Sequence, residues 1–143
     1  MSSRTPSARP ELHLITDSTV ARARLIEVVK TAVRSGVDVV HVRDKSLAAR
    51  HLLDFVTEIQ AAVDRRARVF VNDRLDVALA ASSDGVQLAS HSLPANKVRR
   101  LVGDAFAIGV SVHGPEEAQA ATVDGADFVI FGHVFATTSH PGM

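Results

Sequence analysis

Cysteine is absent from all 143 residues, so the chain can form no disulfide and offer no thiolate to a metal. A reducing cytoplasm suits such a composition. Net charge is absent too, with 16 Lys and Arg set against 16 Asp and Glu. No polybasic run offers a hold on a nucleic-acid backbone or a membrane surface, which leaves small molecules as the expected partners. No apolar run approaches the roughly 20 residues that a membrane span needs. The sequence has no P-loop, no Gly-x-Gly-x-x-Gly turn and no Gly-x-Ser-x-Gly elbow, so nucleotide-binding and hydrolase motifs are unsupported. Its seven histidines include no His-x-x-x-His pair, so a helical zinc site is unsupported as well.

Apolar residues make up 46% of the chain, enough for a core. Residues 1–10 are rich in Ser, Arg and Pro, without an apolar stretch after the charges. They read as a disordered leader and not as a secretory signal. The domain is expected over residues 11–143. Short apolar runs recur at 12–16, 37–42, 68–71, 85–88, 106–110 and 128–131. Between them lie helical stripes. Leu25, Val28, Val29, Ala32 and Val33 form one, and Leu52, Phe55, Val56, Ile59 and Val63 another. Gly36 closes the first helix as a left-handed cap, and Pro94 and Pro115 open later ones. A shorter helix is expected over 75–81. Strands alternating with helices predict an α/β fold with a parallel sheet, the strands apolar because both faces are covered. A doubly wound sheet and most of a (β/α)₈ barrel both fit this rhythm.

Polar side chains gather where each strand ends: Thr16–Asp17, His41-Val42-Arg43-Asp44-Lys45, Asn72–Asp73, Ser90–His91–Ser92, Ser111-Val112-His113 and Gly132–His133. Thr137, Thr138, Ser139 and His140 follow the last. The opposite strand ends show no such accumulation. Parallel α/β folds bind ligands at the carboxyl ends of their strands, which predicts a site there. Alternation puts His41 and Arg43 on one side of their strand, with Lys45 continuing the row, as an anion site would require. Asn72 and Asp73 could bind a substrate amide, hold a phosphate-bound metal, or cap the next helix. The carboxylates Asp17, Asp44 and Asp73 are a weak signal for magnesium.

These stretches, taken together, resemble the thiamine-phosphate synthase superfamily. The matching segments are Leu-His-Leu-Ile-Thr-Asp (12–17), His-Val-Arg-Asp-Lys (41–45), Val-Asn-Asp-Arg-Leu-Asp-Val-Ala (71–78) and Asp-Gly-Val-Gln-Leu (84–88). Ile-Gly-Val-Ser-Val-His (108–113) and Gly-Ala-Asp-Phe-Val-Ile-Phe-Gly-His-Val-Phe-Ala-Thr (125–137) complete the series. The resemblance runs from Glu11 to the end and implies a (β/α)₈ TIM barrel of which about the first six β/α units are present.

The superfamily has two branches. The synthase joins a pyrimidine diphosphate to a thiazole phosphate with magnesium, and usually has Gln where this chain has His41. It usually has a magnesium-binding Asp where Ser92 stands, Pro where His133 stands, and a diphosphate-binding Lys where His140 stands. If the chain is a synthase, Asp73 is the implied metal ligand. The other branch is the thiazole tautomerase, which aromatises a carboxythiazole phosphate without a metal. It is similar to this chain at Gly-His-Val-Phe, which implies His133 as the catalytic acid/base. Imidazole can both take and return a proton at cellular pH. The expected substrate contacts are His41, Arg43, Lys45, Asn72, Ser111, Thr137 and Ser139, with no cofactor. A third reading is a non-catalytic regulatory or ligand-binding barrel.

A full member continues for further β/α units, and their loops often hold a substrate phosphate. Six strands alone leave two unpaired edges, so a homo-oligomer is left open alongside a fragment and a truncated product.

Overall fold

The computed structural model describes residues 9–135. Six strands alternate with five helices: β1 (His13–Ile15), α1 (Arg22–Arg34), β2 (Val39–Val42), α2 (Ala49–Val63), β3 (Arg68–Asn72), α3 (Leu75–Ala80), β4 (Gly85–Leu88), α4 (Ala95–Val102), β5 (Ala107–Val112), α5 (Pro115–Val123) and β6 (Phe128–Phe131). Every strand pair is parallel, and the spatial order is the chain order, β1 to β6. A doubly wound sheet reverses direction at a switch point, and this one does not. Right-handed crossovers in an unreversed order put every helix on the same side. The result is six parallel β/α units curved into a half-barrel. Among the described residues the outer edges of β1 and β6 have no strand partner.

Strand alternation separates two apolar clusters. Val40, Val42, Val69, Val71, Val86, Leu88 and Ile108 face the helices and meet Leu25, Val29, Leu52, Phe55, Val56 and Ile59. The other face is concave and carries Val39, Phe70 and Ala107, with Phe128 packed on them. Glycine makes room for these rings. A β-carbon on Gly85 would lie 2.9 Å from the Phe70 ring, and one on Gly109 would strike Phe128 and the Gln87 side chain.

The α2 stripe is buried as its periodicity predicts. In α1 only Leu25, Val29 and Val33 are buried. Val28 is 37% exposed, because it lies at the margin of the stripe and no neighbouring element covers it. Gly36 adopts φ 109° after α1, the left-handed region expected of it. Arg9, placed by sequence in a disordered leader, is held to Asp38 by two guanidinium bonds of 2.9 and 2.6 Å. Residues 1–8 of that leader lie outside the described residues.

The amino ends of the strands are not bare, which corrects the expectation of polarity at one end only. An aspartate precedes each even-numbered strand and grips the preceding odd-numbered one reciprocally. Asp38 donates its N–H to the Leu12 carbonyl (2.9 Å), and its carboxylate accepts from the Leu12 N–H (2.8 Å). Asp84 does the same with Val69 (3.0 and 2.8 Å), and Asp127 with Ile108 (2.8 and 2.7 Å). The half-barrel is thus three copies of a two-strand unit, each closed at its base by an aspartate.

Arg99 of α4 strengthens the last closure. Its guanidinium donates to the carbonyls of Gly103, Phe106 and Gly125 and to the Asp127 carboxylate at 2.6 to 3.2 Å. Arg99→Met keeps the stem but strands those acceptors. A loss of about 2–3 kcal/mol in folding stability is expected, the scale for charge-assisted hydrogen bonds. Urea denaturation of the two proteins measures it, and an unchanged midpoint would contradict the role.

Candidate functional site

Parallel pairing brings all six carboxyl ends to one face. The backbone there is fixed before any side chain is considered. The Thr16 hydroxyl accepts the Arg43 N–H at 2.9 Å and donates to the Arg43 carbonyl at 3.3 Å, locking the end of β2 against β1. Arg43 and Lys45 project from this rigid point and are exposed. The Asp17 and Asp44 carboxylates are engaged locally. Asp17 accepts from the Thr19 N–H and hydroxyl, and Asp44 from those of Ser46. Both are held below the usual carboxylate range by these bonds. They brace loops and do not join Asp73 in a carboxylate cluster.

His41 departs from the sequence reading. It is 1% exposed on the concave face, one residue pair below Arg43. Its ring stacks on His13 at 5.1 Å and meets the edges of Phe70 and Phe128. His41 Nε2 lies 2.9 Å from His13 Nδ1, and its own Nδ1 has no partner. Burial, and then the charges of His13 and Arg68, push its pKa down to about 4. A buried neutral imidazole cannot be the third cation of an anion site. Of the three residues expected to form an anion site, Arg43 and Lys45 remain as candidates.

Asp73 sits at φ 65°, a strained position for a residue with a side chain, and its N–H reaches the Gln87 carbonyl at 2.8 Å. It does not cap α3, which has no side-chain cap. Its Oδ1 accepts the Ser92 hydroxyl, and the His91 ring lies 3.6 Å from Oδ2. The Ser92 oxygen in turn accepts the Ala89 N–H at 2.7 Å. This clasp ties the loop after β4 to the end of β3. A divalent cation needs several oxygen ligands. Here Asp73 Oδ1 accepts one hydroxyl, and no second carboxylate stands beside it among the described residues. Among the described residues no group of three His, Asp or Glu could hold a metal.

Asn72 and Ser111 are half-buried at the ends of β3 and β5, on the concave side by alternation. Sequence reasoning passed over Gln87, which is 3% exposed on β4 beside them. Its Nε2 donates to the Ser111 hydroxyl oxygen at 3.1 Å. The available signal was a lone amide between Val86 and Leu88, in a strand otherwise without polar side chains. His133 follows β6 after Gly132 and is half-buried. His113 turns toward α5 instead, its Nδ1 3.5 Å from Glu117. Thr137, Thr138, Ser139 and His140 lie outside the described residues.

Two cavities flank the strands. The larger, about 540 Å³, lies at the amino ends around Arg68, and its Asp38 and Asp84 carboxylates are already committed to strand closure. The other, about 400 Å³, lies where the carboxyl ends of β4 and β5 meet α4 and α5, lined by Leu88, Ser92, Ala95, Val110, Val112 and Ala121 among others.

Known proteins agree with this architecture. Residues 12–143 match the family described as thiamine monophosphate synthase. The chain is 42% identical over 139 residues to thiamine-phosphate synthase of Roseiflexus castenholzii, covering 95% of itself and 60% of that protein. It is 40% identical over 140 residues to the enzyme of that name from Gloeobacter violaceus, covering 97% of itself and 40% of that protein. Among solved structures, thiamine phosphate pyrophosphorylase from Pyrococcus furiosus superposes with a TM-score of 0.82 at 32% identity. That match covers 92% of this chain and 64% of the other. The chain therefore spans less than two thirds of the length of these relatives. Its motifs, its half-barrel and these matches converge: the chain belongs to the thiamine monophosphate synthase family.

Proposed function

We propose that this chain supplies the thiazole-phosphate face of a tautomerase, with His133 transferring the proton that aromatises a carboxythiazole phosphate. The observation that carries this reading is the Asp73–Ser92 clasp. Joining a pyrimidine diphosphate to a thiazole requires a divalent cation to neutralise the leaving diphosphate, and therefore a set of oxygen ligands. Ser92 brings a hydroxyl to Asp73 where a second carboxylate would add the charge that a carboxylate pair offers such a cation. Proton transfer within one ring needs no cation. It needs an imidazole, groups that hold the phosphate, and donors that orient the ring. His133, the Arg43 and Lys45 cations, and Asn72 with Ser111 are suited to those three tasks. Thr137 and Ser139 are further candidates to hold the phosphate.

The second reading is the synthase. The names carried by the relatives at 40 and 42% identity favour it. Thiazole phosphate is common to both reactions. The decisive assay supplies either the carboxythiazole phosphate tautomer alone or pyrimidine diphosphate with thiazole phosphate, each with and without magnesium. Aromatisation indifferent to magnesium supports the tautomerase. Magnesium-dependent coupling of the two substrates overturns it in favour of the synthase. Binding of thiazole phosphate without turnover in either assay overturns both in favour of a ligand-binding barrel.

Arg43 tests the phosphate site under either reaction. The Thr16 lock holds its backbone and leaves the guanidinium free to fork onto two phosphate oxygens. Arg43→Ala should weaken thiazole phosphate binding by about 1.5–3 kcal/mol, or roughly 10- to 150-fold. Titration calorimetry measures it, and an unchanged dissociation constant removes Arg43 from the site.

A further inference from the structure

Polar atoms buried without a partner are uncommon, because each one forfeits the hydrogen bonds it made with water. One of them marks the carboxyl end of β4. The Gln87 side chain is 97% removed from solvent, by the complement of its 3% exposure, and its Oε1 has no partner. Its Nε2 is spent on the Ser111 hydroxyl oxygen at 3.1 Å. The Gln87 conformation is enforced from across the sheet. Gln87 and Gly109 are register partners, and a β-carbon at position 109 would strike both Oε1 of Gln87 and the Phe128 ring. Glycine at 109 is therefore what lets the amide lie flat against β5 and reach the next concave position, Ser111.

The direction of this hydrogen bond matters more than its strength. A hydroxyl has one proton and two lone pairs. Because the amide fills a lone pair on Ser111, the serine proton is left to point elsewhere. Among the described residues none accepts it, and the concave face lies directly in front of it. We propose that Gln87 is a positioning residue that fixes Ser111 as a hydrogen-bond donor toward an anionic or carbonyl oxygen of the ligand. This rests on the reading of the face as a thiazole-phosphate site and deepens it. Ser111 touches the ligand, and Gln87 acts only through Ser111.

A double-mutant cycle on the purified protein, with thiazole phosphate as the titrant in calorimetry, tests the proposal. Gln87→Met keeps the length of the side chain and removes its donor, so the Ser111 proton is no longer directed. Binding should weaken about 5-fold, the scale of one neutral hydrogen bond. Ser111→Ala should cost at least as much. The double variant should bind like Ser111→Ala alone, since Gln87 has then nothing to position. Gln87→Glu serves as a second arm where the Met variant folds poorly. A carboxylate accepts the Ser111 proton and reverses the bond, so the loss should exceed 5-fold and shrink in the Ser111→Ala background. Additive losses, or wild-type affinity in Gln87→Met, overturn the positioning role while leaving the substrate reading intact. Failure of the wild type itself to bind thiazole phosphate overturns the substrate reading and this role of Ser111 with it.

Discussion

Replacing His133 with Ala or Gln is expected to lower kcat for aromatisation of the carboxythiazole phosphate by about 10²-fold or more, with a smaller change in binding. The backbone at this residue is set by β6, whose ladder to β5 runs through Ser111↔Ile130 and Val112↔Phe131. The Gly132 N–H continues it, donating to the Val112 carbonyl at 3.1 Å. The imidazole thus stands one residue beyond this ladder, at the end of the barrel where Arg43, Asn72 and Ser111 also emerge. The flanking residues Gly132 and Val134 bring no titratable group. His113 is turned to Glu117, and His91 stands against Asp73. A proton-transfer role predicts that single-turnover rates fall while the dissociation constant of thiazole phosphate moves little. Weaker binding at unchanged kcat would recast His133 as a substrate contact. Full activity would pass the role to His113 or His140.

The parts of the molecule written in apolar periodicity were legible in the sequence. β4, β6 and α1 lie where their patterns place them. Each is bounded by a residue with a strong local preference, as Gly36 bounds α1. Boundaries set by hydrogen bonds to distant residues were not legible. β5 continues through Ser111 to Val112, past the apolar run, because its backbone remains laddered to β6 whatever the polarity of its side chains.

The gathering of polar groups at the carboxyl ends was visible by inspection. The role of each group was not, because role depends on which face a residue takes and on what covers it. His41 shares a side with Arg43 as alternation requires, yet one residue pair deeper it is among phenylalanines and loses its charge. Asp38, Asp84 and Asp127 were missed for a different reason. Asp84 and Asp127 stand immediately before apolar runs and Asp38 near the start of one, and the meaning of each lies in a partner 15 to 26 residues away. Their recurrence before every second strand was the available signal.

The burial of His41 sets an expectation for acid stability. Its pKa is pushed from an ordinary 6.5 to about 4, first by desolvation and then by His13 on β1 and Arg68 on β3. Arg68 lies over the Phe70 ring and is paired with Glu11, which also approaches His13 at 3.6 Å. The unfolded chain therefore binds a proton that the folded chain refuses between those two values. Linkage makes folding stability fall as pH drops through this window, by about 3 kcal/mol at about 1.4 kcal/mol per pH unit. Above pH 6.5 both states leave the ring neutral and the contribution is constant. Below pH 4 both are protonated and the loss is complete. His41→Gln places an uncharged amide of similar reach on β2 and should flatten the dependence between pH 6.5 and 4. Urea midpoints at pH 7, 5.5 and 4 for the two proteins measure the difference. Parallel curves would show that the His41 ring titrates alike in the folded and unfolded chains, and that the packing of His13, Phe70 and Phe128 around it does not exclude the charge.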